Sequence, residues 1–208
     1  MGCPELAELF ISVVGCRTCP TSLVLRDETV NPPQPGWVGR RYKGLMFVGQ
    51  NPGERPRTPK QIAADVSYIE SLLKVRDIAS LETMLDVLRQ STDAFVYYRS
   101  FHFNVDIEDV AYINTVRCRT RQNAAPGRSV VDACKAHFRR WVEILRPRGV
   151  VYLGVFAERA TSDLLQERDI PFVTISRQKS LKSAQRAEQM DRANEFVRSV
   201  FDTASAVQ

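Results

Sequence analysis

The sequence predicts an α/β fold, a three-layer α/β/α sandwich built on a central four-stranded, mostly parallel sheet. Four short apolar runs rich in β-branched and aromatic residues are bounded by turn residues, which is typical of strands. They lie at 45–50, 110–114, 150–154 and 171–176. None alternates polar with apolar residues, as expected for strands buried on both faces. Helical patterns separate them, and strands that alternate with helices favour this architecture.

Apolar residues at three- and four-residue spacing place the helices. An amphipathic helix is expected at the N-terminus, and others at 59–75, 80–91, 129–145, 157–166 and 181–201. The segment Arg146-Pro147-Arg148-Gly149 ends the fourth of these. We therefore expect one domain over residues 1–201, which includes an N-terminal segment at 1–43, and a flexible tail at 202–208.

Composition limits the classes of function. The chain has 208 residues, a net charge of +5 and five cysteines, which fits one soluble domain and weakly favours a polyanionic partner. No apolar run approaches the roughly 18 to 20 residues of a membrane span. The N-terminus lacks the basic region of a signal peptide. We expect a cytoplasmic monomer that does not enter membranes.

The predicted carboxyl ends of the strands gather the turn-forming and polar residues. GQNPGERP follows the first strand at 49–56, Asn114 ends the second, Gly154 ends the third, and SRQKSL follows the fourth at 176–181. Two of the following loops are basic. Because ligands bind at the carboxyl ends of strands in such sheets, this edge suits an anionic or polar ligand.

Four cysteines form two pairs. Cys16 and Cys19 make a C-x-x-C motif, and Cys118 and Cys134 are separated by 15 residues. Four thiolates suit tetrahedral zinc or an iron–sulfur cluster. The alternative is that the second pair is simply buried and the first pair has no role. Cys3 receives no role.

The loop GQNPG and the residue Asn114 offer neutral hydrogen-bonding groups. Gly49 and Gly53 permit a tight turn and a close approach to a ligand, Pro52 stiffens it, and Asn51 can hold a water or a hydroxyl. The alternative is an ordinary strand-to-helix turn. The amide of Asn114 matches the imide N–H and carbonyl of uracil or thymine, although a capping role would also explain it.

These motifs together resemble a known family. GQNPG, INTVRC at 113–118, DAC at 132–134, LRPRGVVYLGVFA and the N-terminal C-x-x-C are similar to the iron–sulfur branch of the uracil-DNA glycosylase superfamily, families four and five. The resemblance runs from about Cys16 to Leu181. It implies a structural [4Fe–4S] cluster, with zinc as the alternative metal, on Cys16, Cys19, Cys118 and Cys134. It also implies that Asn114 reads uracil in a pocket formed with Gly49, Gln50, Pro52 and Gly53.

Two departures from the family pattern concern catalysis. The usual GEAPG is replaced by GQNPG, in which Asn51 resembles the water-positioning asparagine of the mismatch-specific and single-strand-selective branches. The histidine that usually follows the last strand is missing, because His102 and His137 lie elsewhere. Aligning RQKSL with that motif places Arg177 at the histidine position, and a shift of one residue places Ser176 there. An arginine would support the departing uracil anion electrostatically, whereas a serine would do so poorly.

The resemblance implies a DNA repair glycosylase that flips out uracil or another deaminated base and leaves an abasic site. Its partner is DNA containing that base. The residues expected to contact DNA are Arg119, Arg121, Lys179, Lys182 and Leu181, the last filling the gap left by the flipped base. The missing histidine keeps a second hypothesis open, an iron–sulfur DNA-binding or damage-recognition protein that lacks hydrolysis. A third is a zinc-stapled α/β enzyme acting on free nucleotides.

Overall fold

Five strands and six helices make up the parts of the chain that the computed structural model describes, which are residues 3–26, 32–52, 59–90, 103, 105–176 and 183–205. The strands are β1 Trp37–Val38, β2 Leu45–Gly49, β3 Val110–Asn114, β4 Gly149–Leu153 and β5 Phe172–Ile175. The helices are α1 Pro4–Val14, α2 Pro59–Leu73, α3 Ile78–Gln90, α4 Arg128–Leu145, α5 Val155–Gln166 and α6 Ser183–Ser205. None of these helices combines the length and the apolar character that a membrane span requires.

The sheet has the order β1-β3-β2-β4-β5, and every neighbouring pair is parallel except β1 with β3. The prediction of a mostly parallel sheet is confirmed, and β2, β3 and β4 are buried almost throughout. The predicted number of four strands is wrong by one. The fifth strand is the pair Trp37–Val38, which runs antiparallel to Tyr112 and Ala111. Two residues are too few to give a periodic pattern in the sequence.

Helices cover both faces of the sheet. Successive side chains of a strand point to opposite faces, so Gly149 and Tyr152 of β4 face opposite layers. A Cβ on Gly149 would meet Val200 and Phe196 of α6. The hydroxyl of Tyr152 lies 3.0 Å from Oγ1 of Thr161 in α5. The two helices therefore lie on opposite faces, which confirms the three-layer sandwich.

Two helices begin or end at residues other than those that the apolar periodicity predicted. Helix α3 begins at Ile78, two residues before the predicted start, because Asp77 caps it: Oδ1 of Asp77 accepts from the backbone N–H of Ser80 at 2.9 Å. Helix α6 continues to Ser205, whereas the pattern predicted its end at 201 and a flexible tail from 202. Residues 202–205 bring no apolar side chain at core spacing, so periodicity could not reveal that the helix continues.

The order of the strands places a crevice above β2. The chain leaves β2 for β3 on one side and then crosses back to β4 on the other side. Such a reversal separates the connections above the carboxyl ends of the strands, and ligands bind there in open α/β sheets. Gly49 and Asn114 are the last residues of β2 and β3 and so lie at this edge.

Candidate functional site

The loops after β2 and β3 are bonded to each other from their first residues. Gly49 and Asn114 are paired in the parallel register. Beyond the strands, the N–H of Thr115 donates to the carbonyl of Gly49 at 2.8 Å, and the N–H of Val116 donates to the carbonyl of Gln50 at 2.9 Å. The backbone ladder therefore extends past both strand ends. The GQN segment and the loop that contains Asn114 form one continuous edge.

The carboxamide of Asn114 is the most distinctive polar group at this edge. The residue is only 8% exposed. Its Oδ1 accepts a hydrogen bond from the hydroxyl of Tyr112 at 3.2 Å. No acceptor in the described residues engages its Nδ2. A carboxamide has two lone pairs and two N–H groups, so Asn114 keeps one lone pair and both donors for a ligand. This is the donor and acceptor pair that complements an imide edge.

Gly49 leaves the space that the Asn114 side chain fills. A Cβ on Gly49 would lie 2.5 Å from Oδ1 of Asn114 and 2.8 Å from the hydroxyl oxygen of Tyr112. Both distances are shorter than atoms of these types tolerate. The requirement for glycine here is therefore a requirement for space above the strand end.

Asn51 is held by the loop that follows Cys118. Its Nδ2 donates to Oγ1 of Thr120 and to the carbonyl of Pro52, each at 3.1 Å, and its Oδ1 accepts from Nε2 of Gln50 at 3.0 Å. Thr120 in turn donates to the carbonyl of Ala124 at 2.6 Å. The donors of Asn51 are thus used within the protein, and one lone pair of its Oδ1 is left to accept from a water. No pattern in the sequence indicated a role for Thr120. Gly53 lies outside the described residues.

The four cysteines of the two motifs converge. Cys19, Cys118 and Cys134 are buried in one apolar cluster, Cys16 is half-buried beside them, and all four are free thiols. Burial is the main cause that raises the pKa of Cys118 to about 12, and the charges of the other three thiols add to it. The four sulfurs therefore lie within electrostatic range of one another. Even so, no three His, Cys, Asp or Glu side chains of the described ranges stand in an arrangement that would hold a metal ion.

The environment of the Arg117 side chain indicates whether an anionic metal centre fits beside the four cysteines. Its side chain is 1% exposed, and Nη1 donates to the carbonyl of Pro35 at 3.2 Å. Its Nε and Nη2 are buried, and no group in the part of the chain that the structure describes accepts a hydrogen bond from them. The charged group whose field acts on the guanidinium is Cys134. A buried cation without an anion is costly, and a metal centre ligated by four thiolates is anionic whether the metal is iron or zinc. The buried charge of Arg117 therefore fits an anionic centre at this place, whereas the described thiols do not stand in a metal-holding arrangement.

Of the two residues expected to support the leaving group, Ser176 lies at the other side of the sheet and Arg177 lies outside the described residues. Ser176 follows β5, and its backbone N–H donates to Oε1 of Gln189 at 3.2 Å. Three strand spacings separate the ends of β5 and β3, which is about 14 Å. Ser176 is therefore not a neighbour of Asn114 along the edge of the sheet. The expected residues Arg177, Lys179, Leu181 and Lys182 all lie outside the described residues.

The two basic residues after Cys118 have different environments. Arg119 is 9% exposed, its carbonyl accepts from the N–H of Leu25 at 2.8 Å, and its side chain has interactions within the chain. Arg121 is exposed, and no acidic side chain of the described ranges pairs with it. Arg128 follows with a side chain that is 95% exposed and lies 3.8 Å from Asp132. Of the two arginines predicted to contact DNA, the structure places only Arg121 on the surface.

At the opposite edge of the sheet, basic residues are paired with acids. The segment 40–43 precedes β2 and the segment 106–109 precedes β3. Ion pairs connect these segments to each other and to α3: Arg40 with Asp86, Arg41 with Asp106 and Asp109, and Lys43 with Asp109. The positive charge at the amino ends of the strands is therefore largely compensated. The exposed arginines at the carboxyl ends lack such close partners.

Comparison with known proteins agrees with this geometry. Residues 37–198 match the family model of the uracil DNA glycosylase superfamily. A type-4 uracil-DNA glycosylase of Pyrobaculum aerophilum is 35% identical over 167 residues, which cover 79% of this chain and 68% of the relative. A type-4 uracil-DNA glycosylase of Archaeoglobus fulgidus is 38% identical over 175 residues, which cover 84% of this chain and 71% of the relative.

Proposed function

The chain belongs to the uracil-DNA glycosylase superfamily, and on this basis we propose that it is a DNA repair enzyme that hydrolyses the N-glycosyl bond of uracil in DNA. The observation that carries the proposal is the buried carboxamide of Asn114, which stands at the carboxyl end of β3 with donors that no acceptor of the described residues engages. The target nucleotide leaves the base stack and enters the crevice above β2 and β3. There, Asn114 accepts from N3–H of uracil and donates to O4.

The reaction separates a base anion from a sugar cation. The N-glycosyl bond breaks with both electrons going to uracil, and the sugar becomes oxocarbenium-like. A water that Asn51 holds through its remaining lone pair adds to the sugar carbon, loses a proton to solvent and leaves an abasic site. An amide is a weak base, so Asn51 acts by positioning the water. We propose Arg177, or Ser176, as the group that stabilises the uracil anion.

We also propose that Cys16, Cys19, Cys118 and Cys134 hold a [4Fe–4S] cluster, with zinc as the alternative metal. The convergence of the four thiols and the buried charge of Arg117 support an anionic centre at this place. When bound, the cluster supplies a covalent cross-link and no redox step. It ties the segment after α1 to the loop that carries Asn114 and to α4.

The DNA-facing surface is proposed to be the carboxyl edge of the sheet. Arg121 contacts phosphates, which gives an affinity that is independent of sequence and falls with salt. Arg119, Lys179 and Lys182 as phosphate contacts, and Leu181 as the wedge in the duplex, stay sequence-based predictions. So do the pocket roles of Gln50, Pro52 and Gly53, a monomeric state and a cytoplasmic location.

Uracil release from an end-labelled oligonucleotide tests the proposed function. Wild-type protein is expected to generate alkali-sensitive abasic sites, and Asn114→Ala is expected to retard the same DNA on a gel without releasing uracil. Asn194→Ala removes a carboxamide from α6 near the amino edge of the sheet and serves as the matched control with unchanged activity. If wild-type protein binds the oligonucleotide but leaves it intact, the chain is a DNA-binding protein that lacks hydrolysis and the proposal fails.

The hydroxyl of Tyr112 is expected to orient the Asn114 amide. A phenol donates a hydrogen bond better than it accepts one, so it favours the orientation in which Oδ1 faces Tyr112 and Nδ2 faces O4 of uracil. Tyr112→Phe removes one hydrogen bond, about 1 kcal/mol, and should lower kcat/KM for uracil about fivefold. Tyr152→Phe is the control, because its hydroxyl bonds Thr161 within the core. Unchanged kcat/KM in Tyr112→Phe would show that Asn114 keeps its orientation unaided.

A further inference from the structure

Arg117 is a buried cation that the proposed reaction does not use. It lies between Asn114 and Cys118 in the chain, and its side chain is 1% exposed. Nη1 bonds the carbonyl of Pro35, while Nε and Nη2 have no hydrogen-bond partner among the described residues. The ion pairs found in the described residues do not include it. Three of the five N–H bonds of its guanidinium belong to those two nitrogens and are buried without an acceptor.

The surroundings hold Arg117 in this position. The carbon centre of its guanidinium lies 5.7 Å from the centre of the Trp141 ring, which is within the range of a cation–π contact. Trp141 is itself fully buried and packs on Phe10 of α1 at 5.6 Å between ring centres. The carbonyl of Pro35 fixes one arm of the guanidinium. A ring and one carbonyl position the group but do not neutralise its charge.

The energetics require an anion close by. Removing a charge from water costs several kcal/mol per ion, and an ion pair or a set of hydrogen bonds normally offsets that cost. The group that interacts electrostatically with Arg117 is Cys134, one of the four convergent thiols, and the backbone N–H of Arg117 also bonds that sulfur. Two other basic groups beside these thiols have partners: Arg26 is half-buried and donates to the carbonyls of Cys16 and Cys19, and the side chain of His137 hydrogen-bonds Cys16. Arg117 is thus the cation with unused donors.

We propose that Arg117 is the buried counter-cation of the metal centre held by the four cysteines. This inference rests on the metal site of the proposed function. Its guanidinium compensates the negative charge of the thiolate-ligated centre, and its free N–H groups donate to the sulfur of that centre. Hydrogen bonds and positive charge near such sulfurs stabilise the reduced state of the metal centre, which carries more negative charge, and help to retain the metal. Arg117 is therefore a positioning residue that sets both metal retention and reduction potential.

Metal release from anaerobically purified full-length protein tests the proposal. Iron, sulfide and zinc per chain are measured, and release to an excess of chelator is followed by absorbance. Arg117→Met is expected to release metal roughly tenfold faster than wild type, because loss of an outer-shell partner commonly costs 10- to 100-fold. Arg117→Lys keeps the charge but loses the planar fork, so its release rate should fall between the two. For an iron-loaded centre, Arg117→Met should also lower the reduction potential.

Control variants separate the possible outcomes. Arg140→Met removes an exposed cation from the same helix as Cys134 and should leave release and potential unchanged. If Arg117→Met does not fold, Arg117→Gln, which keeps a donor for Pro35, replaces it with the same expectation. Wild-type release rates in every neutral variant would overturn the proposal. If wild type holds zinc, the cluster of the proposed function fails, but the zinc release rates still decide the role of Arg117. A wild type that binds neither metal overturns both.

Discussion

Replacing Gly49 with alanine is expected to lower kcat/KM for uracil release about a hundredfold while the fold is retained. The added Cβ would lie 2.5 Å from Oδ1 of Asn114 and 2.8 Å from the hydroxyl of Tyr112. Both contacts are with side-chain ends, so the amide moves aside at a small cost in stability. A displacement of about 1 Å at a substrate-positioning group can cost 10²-fold in rate. Steady-state kinetics on a uracil oligonucleotide, with a thermal melt of each protein, measures both effects.

Gly127→Ala is the matched control for this prediction. A Cβ on Gly127 meets no atom within 4 Å, so the same chemical change should leave kinetics and melting temperature unchanged. Wild-type kinetics in Gly49→Ala would mean that the space above the end of β2 is not needed by Asn114 during catalysis. That result would remove the argument that this pair of residues forms the base-binding edge.

Cys118→Ser is expected to lose the metal, to lower the free energy of unfolding by about 3 kcal/mol or more, and to abolish most of the activity. Only three residues separate Cys118 from Asn114. Two of them, Thr115 and Val116, bond the carbonyls of Gly49 and Gln50. Loosening the thiol end of this loop therefore loosens the base-binding edge. Metal analysis, chemical denaturation and the oligonucleotide assay measure the three losses.

Cys3→Ser provides the control for the metal prediction. Cys3 is the fifth cysteine, and its sulfur donates to a carboxylate oxygen of Glu5 at 2.7 Å on the exposed side of α1. Its substitution should change neither metal content nor activity. If Cys118→Ser keeps the metal content and the stability of wild type, the four-cysteine site is wrong. The alternative interpretation of the sequence then applies, in which Cys118 and Cys134 are buried apolar groups and Cys16 and Cys19 have no role.

The sequence predicts the central strands well and the edge of the sheet poorly. Runs such as 45–50 and 150–154 are apolar on both faces because helices cover both, and this signal is local. Strand β1 is two residues long and is specified by its pairing with β3, which no local pattern carries. The same reason explains the end of α6. Residues 202–205 continue the helix, but their sequence Asp-Thr-Ala-Ser carries no apolar periodicity that would predict it.

The candidate site divides in the same way. Gly49 and Asn114 stand out in the sequence because a glycine and an amide each end a buried strand. Tyr112 was missed because it belongs to the apolar run of β3, and only the structure shows that its hydroxyl reaches Asn114. A count of charged residues also does not show which of them are buried. Arg119 and Arg117 lie in one basic loop with Arg121, yet both are buried and only Arg121 is exposed.

The uneven pairing of charges at the two edges of the sheet affects how the protein meets its substrate. At the amino edge, arginine and lysine side chains are matched with carboxylates, whereas Arg121 and Arg128 extend from the carboxyl edge. Among the described side chains, Arg121 therefore presents positive charge without an acidic partner at the carboxyl edge. Negatively charged DNA is attracted to this charge during diffusion. Collisions that bring DNA to the crevice are therefore more frequent at low ionic strength.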